Sequence, residues 1–124
     1  MATFNNRLRR RANRSKIETE FFDRLVASFP DIKMIPNDKE MLPGVEVDVA
    51  IPSLRLAIEW NGVIHFQPIY GQEKLNVVQR RDAMKSQLAA DLEIRLIVIN
   101  DTDSKKATLN RAYADVCEII SALL

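Results

Sequence analysis

Hydrophobic and polar positions alternate most clearly over residues 45–51, where Val45, Val47, Val49 and Ile51 interleave with Glu46, Asp48 and Ala50. A period of two is the signature of a strand with one face on a core. Pro52-Ser53 then gives a tight connection into a second alternating run, 54–60, in which Leu56 and Ile58 interleave with Arg55, Ala57 and Glu59. Two such runs joined so closely predict a β-hairpin. Upstream, Ser15 opens a helix to about Ser28, stopped by Phe29-Pro30, and 32–36 reads as a short strand followed by a polar turn over 37–44. Downstream, a Gly- and Pro-punctuated loop over 61–73 leads to a helix from about Glu73 to Asp91 and an apolar strand from Ile94 to Ile99. The run Asp101-Thr102-Asp103-Ser104 offers N-cap chemistry for a last helix. That helix carries its apolar face on Leu109, Ala112, Tyr113, Val116, Cys117, Ile120 and Leu123. The predicted order is α-β-β-β-α-β-α, an α/β class with a mixed sheet and helices packed on it.

The faces of these elements place the acids. With the Val/Ile set of 45–51 toward the core, Asp48 lies on the opposite face; on 54–60, Glu59 lies opposite Leu56 and Ile58. Pairing of the two strands would make Asp48 and Glu59 cross-strand neighbours. Two carboxylates held together repel and want a cation or a shared proton, and a hard divalent ion such as Mg²⁺ meets that need. An ordinary solvated sheet face is the alternative for Asp48. On the first helix, at ~100° per residue, Glu18 falls at the centre of the face formed by Phe21, Phe22, Leu25, Val26 and Phe29, and Glu20 falls on the solvent side. Two roles fit Glu18: an acid aimed at a site, or the second half of a Ser15-x-x-Glu18 capping box. His65, the single histidine, follows Glu59-Trp60-Asn61-Gly62 in the loop and is placed to act as a general base or acid near neutral pH. Asp82 and Lys85 stand three residues apart on the next helix, as a surface ion pair or as a cation aimed at a phosphate.

Charge changes the picture at the N-terminus. The net charge of +1 hides a basic arm over residues 1–16 bearing Arg7, Arg9, Arg10, Arg11, Arg14 and Lys16 and no acid. Those six removed from the 18 basic residues leave 12 against 17 acidic, a remainder of about −5. Arg forks match phosphate, so a nucleic-acid backbone is the expected partner of the arm, with a solvated tail as the alternative. The composition, 47% hydrophobic and 28% charged in 124 residues, is that of one globular domain over 15–124 behind an arm over 1–14. One cysteine, Cys117, excludes a disulfide framework and a Cys-rich zinc site within the chain and reads as a buried structural thiol. No apolar run approaches ~18 residues and the basic N-terminus lacks the apolar middle of a signal peptide, so no membrane association and a cytoplasmic location are expected.

Strand-borne Asp48, then ten residues, then Glu59-x-Asn61 resembles the core of the PD-(D/E)XK nucleases. The stretches Ile58-Glu59-Trp60-Asn61-Gly62-x-x-His65 and Arg81-Asp82-x-x-Lys85, followed by Ile94-x-Leu96-Ile97-x-Ile99, look closest to the very-short-patch-repair-like branch with its phage and intron homing endonucleases. The resemblance covers roughly residues 15–100. It implies a restriction-endonuclease-like fold and a metal-dependent endonuclease, phage-encoded or of homing type, cutting double-stranded DNA. It implies Mg²⁺, or Mn²⁺ in its place, held by Asp48 and Glu59, with Glu18 as the helix acid, His65 as the general base and Asp82 as the late acid. Two positions depart: Val47 stands where Pro would precede Asp48, and Asn61 stands where the motif has Lys. Lys85 or His65 would then take the lysine's part. The single cysteine separates the chain from the repair enzymes, which carry a structural zinc site. A structure-selective nuclease such as a junction resolvase, and a non-catalytic DNA-binding module on a nuclease fold, are the other readings; a domain of this size is expected to act as a dimer or with a fused partner.

Overall fold

The computed structural model describes residues 15–124. Within them the chain runs α1 (Lys16–Ser28), β1 (Ile35–Leu42), β2 (Val45–Ile51), β3 (Leu56–Asn61), α2 (Gln72–Asp91), β4 (Arg95–Asn100) and α3 (Lys106–Leu123). This is the expected element order and the expected α/β class. Arg7, Arg9, Arg10, Arg11 and Arg14 of the basic arm lie outside the described residues. Lys16 is exposed in the first turn of α1. Two compact units are formed, one from residues 33–104 and one from the described residues up to Ile32 together with Lys105–Leu124. None of the described helices is long and apolar enough to cross a membrane.

In the sheet unit the four strands are ordered β1-β2-β3-β4. The hairpin expected between the two alternating runs is present: β2 and β3 pair antiparallel through Ile51↔Leu56, Ala50↔Ala57 and Val49↔Ile58. The second run enters its strand at Leu56, because Pro52–Leu54 form a 3-10 turn and Arg55 takes a left-handed conformation, φ +50°. β4 lies parallel to β3, from Leu56↔Arg95 to Asn61↔Asn100. A parallel neighbour requires a crossover, and α2 supplies it. β3 is therefore central, and all six of its residues are buried.

One expectation fails. Residues 37–44 were expected to turn and only 32–36 to extend, yet β1 runs from Ile35 to Leu42 and pairs antiparallel with β2. The turn is confined to Pro43-Gly44, where Gly44 holds φ +78°. The polar residues that conceal this strand occupy a sheet edge with a register irregularity between Asp38 and Leu42. Asn37 is left-handed there, and the Asp38 carboxylate accepts the amide protons of Glu40 and Met41 at 3.2 and 2.8 Å. An edge strand tolerates such polarity, and a bulge consumes it locally.

Against this sheet α2 sets Ala89. Leu42, Val47, Ala50, Ala57 and Ala89 form one buried cluster, with Leu88 and Leu96 packed on it. Ala50 and Ala57 pair across β2 and β3, and Ala89 comes from α2. Alanines on both partners let a helix approach a sheet closely and hold its register.

The other unit pairs α1 with α3. Phe21, Phe22 and Leu25 of α1 and Leu109, Ala112, Val116 and Ile120 of α3 are buried. Ser15 is the N-cap of α1, its hydroxyl accepting the Glu18 amide proton at 3.2 Å. Glu18 itself is half-buried, and Glu20 sits in a network with Arg24 and Lys106. The Lys106 hydrogen bond, ahead of the charges of Lys106 and Arg24, holds the Glu20 carboxyl below its ordinary range. Asp101–Ser104 do not cap α3: its N-cap is Lys105, with no side-chain cap bond. Asp101 instead closes its own turn by accepting the amide protons of Asp103 and Ser104. Cys117 is half-buried rather than enclosed.

If the alanine contact sets the height of α2 over the sheet, Ala57→Leu overpacks it and is expected to cost about 1–3 kcal/mol. A thermal or urea unfolding curve unchanged from wild type would contradict that contact.

Candidate active site

The β2–β3 register decides where the acids meet. Extending the pairing one step beyond Val49↔Ile58 sets Asp48 opposite Glu59 on the same face. Backbone pairing between the strands stops there, and carboxylates take over. The Asp48 amide donates to Glu59 Oε1 at 2.9 Å, and the Trp60 amide donates to Asp48 Oδ2 at 2.7 Å. Each acid is thus fixed by the backbone of the other strand, which orients both without neutralising either.

Lys85, on α2, brings the first cation. Its Nζ donates to Glu59 Oε2 at 2.8 Å, with both side chains about nine-tenths enclosed. Glu59 is 6% exposed. Burial, and then the neighbouring Asp48 charge, push its carboxyl above the ordinary value of 4.5, while Lys85 pulls it down. A carboxyl with a raised folded-state value stabilises the fold fully below its unfolded value and loses that contribution as pH rises through the folded value. Burial and Asp48 thus oppose ionisation of Glu59, and the Lys85 ammonium favours it.

His65 arrives by a different route. β3 ends at Asn61, and Val63–His65 form a 3-10 turn that carries the imidazole back to the cleft. Its Nδ1 lies 2.7 Å from Asp82 Oδ2, and Gln79 Nε2 donates to its carbonyl at 3.3 Å. A carboxylate at Nδ1 favours the proton on that nitrogen and leaves Nε2 with its lone pair. Asp82 and Lys85 do not pair with each other. Their spacing of three puts both on one face of α2, and each reaches a different partner on or after β3.

Asp48, Glu59, Asn61, His65, Asp82 and Lys85 line one cleft of about 640 Å³, together with Arg80 and Arg81. All of these belong to the sheet unit. The cleft gathers five of the six side chains expected to do chemistry; the sixth, Glu18, lies on α1 in the helical unit. Among the described residues, no group of three or more His, Cys, Asp and Glu side chains comes together as a metal cluster. Asn61 is 6% exposed and its Oδ1 is a buried acceptor without a hydrogen-bond partner among the described residues. Trp60, which alternation places on the opposite face, anchors its indole Nε1 on Asp101 Oδ2 at 3.1 Å.

Replacing Lys85 by Met should leave Glu59 buried and unpaired, at a cost of about 3–5 kcal/mol at neutral pH. That cost should shrink in mildly acidic solution, where Glu59 takes up a proton, and should largely vanish in the Lys85→Met/Glu59→Gln double variant. Urea denaturation at the two pH values measures this; an equal loss at both would contradict the assignment of Glu59 as the ionised partner. Compared with family models, curated proteins and solved structures, the chain matches none, so the reading of this cleft rests on its own geometry.

Proposed function

We propose that the cleft is the active site of a metal-dependent endonuclease that hydrolyses phosphodiester bonds in double-stranded DNA, of the phage or homing type. The observation that carries this reading is the convergence of a His65–Asp82 pair and a Lys85-anchored carboxylate pair on one cleft. The donor set fits a divalent ion. Asp48 and Glu59 are adjacent hard-oxygen ligands whose mutual repulsion, expressed in the raised Glu59 value, an ion would relieve. When bound, Mg²⁺ or Mn²⁺ would offset the negative charge that grows on the phosphate oxygens.

The chain's own residues perform the rest. His65 Nε2 accepts a proton from a water molecule as the water oxygen bonds to phosphorus, and Asp82 stabilises the imidazolium that results. One phosphorus–oxygen ester bond breaks, leaving a phosphate monoester on one side and, once the leaving oxygen takes a proton from solvent water, a hydroxyl on the other, while His65 returns its proton to solvent. Lys85 pairs with Glu59 and supplies the cationic charge that Asn61 cannot. Arg80 and Arg81 of α2 line the cleft, and Arg7, Arg9, Arg10, Arg11, Arg14 and Lys16 provide further charge for the duplex backbone. The small size of the domain favours action as a dimer on DNA.

Asp48→Ala is expected to abolish Mg²⁺-dependent nicking of supercoiled plasmid while far-ultraviolet circular dichroism stays unchanged. His65→Ala should lower the rate by about 10²–10⁴. Cleavage retained at the wild-type rate in either variant would sink the assignment.

A further inference from the structure

Asn61 lines the cleft without a role in the steps above, and its Oδ1 is buried without a hydrogen-bond partner among the described residues. A buried acceptor without a donor is uncommon, and leaving one is destabilising. The Lys85 ammonium in the same cleft is already on Glu59 Oε2. The orphaned atom is a neutral, hard oxygen, and its place on the sheet is specific. Asn61 is two residues beyond Glu59 on β3 and so shares its face, about 6.6 Å along the strand. It is also the diagonal neighbour of Asp48 across β2, a relation that brings Cα atoms within about 7–8 Å.

We infer that Asn61 Oδ1 is the third protein oxygen of a divalent-cation site with Asp48 and Glu59. This rests on the proposed reading of the cleft as metal-dependent and deepens it. At the position where the resembled motif carries a lysine, this chain carries a ligand, and the lysine's charge comes from α2. The ion satisfies the buried amide oxygen, which water-free protein atoms do not. The assignment also accounts for the side-chain type: an amide supplies a hard oxygen without adding a third carboxylate beside Asp48 and Glu59.

The test is direct binding of Mn²⁺ alone to the full chain, followed by the electron paramagnetic resonance of free Mn²⁺, with no nucleic acid present. Wild type is expected to bind Mn²⁺, Asp48→Asn to lose it, and Asn61→Ala and Asn61→Leu each to weaken it by at least about tenfold. Without metal, Asn61→Leu should be as thermally stable as wild type or more so, because the orphaned acceptor is gone. A ligand role predicts those opposite directions; a merely structural amide would lose stability and leave the affinity alone. Asn61→Asp, which keeps the oxygen, should restore binding and serves as well if the leucine variant does not fold. Wild-type affinity in Asn61→Ala, with Asp48→Asn still deficient, would overturn the role of Asn61 while sparing the metal-dependent reading. Absence of Mn²⁺ binding in wild type would overturn both.

Discussion

The placement of two carboxylates on neighbouring strands beneath a helix is the constraint around which the sheet unit is organised. An ionised acid removed from water costs several kcal/mol unless its oxygens are satisfied and its charge is matched. Glu59 meets both conditions at once, through the Asp48 amide on Oε1 and the Lys85 ammonium on Oε2. The first contact requires β2 and β3 to stop pairing by backbone at Val49↔Ile58. The second requires α2 to lie close enough for Lys85 to reach the central strand. Ala50, Ala57 and Ala89 allow that approach. Packing and electrostatics thus impose the same position on α2.

That position has a chemical consequence. Because Lys85 is tied to β3, the residue one turn earlier on the same face of α2, Asp82, is delivered beside the turn that carries His65. The Lys85–Glu59 ion pair and the His65–Asp82 contact are therefore set by one helix register. On the proposed reading, charge is held at Asp48, Glu59 and Lys85, and proton transfer falls to His65 and Asp82. Burial and Asp48 both favour the neutral form of Glu59, and Lys85 opposes them. Such tension in a solvent-open cleft is more easily understood as preparation for a ligand than as a device for stability.

Much of this could be read from the chain, for identifiable reasons. The strict alternation over 45–51 and 54–60 fixed both faces of a hairpin, and with them the meeting of Asp48 and Glu59. Periodicity did not reveal β1, because Asn37–Glu40 place polar groups on an edge where solvent and the Asp38 carboxylate satisfy them. It could not separate two pairings of Asp82 and Lys85 either, since a spacing of three satisfies an i, i+3 ion pair and two long-range partners equally. The turn at Asp101 misled for a related reason: an Asp followed by Thr, Asp and Ser fits a helix cap and an Asx turn alike, and the Trp60 indole on the other oxygen favoured the turn. Asn61 was visible as a departure from a motif. Its orphaned oxygen is a property of burial, which no sequence pattern encodes.

Incubation of the purified wild-type protein with supercoiled plasmid, in Mg²⁺ and in excess EDTA, tests the central claim most directly. Phosphodiester hydrolysis at this cleft predicts conversion to nicked or linear DNA in Mg²⁺ and none in EDTA. Salt-sensitive DNA binding with no strand cleavage in either Mg²⁺ or Mn²⁺ would contradict it and leave a DNA-binding module in its place.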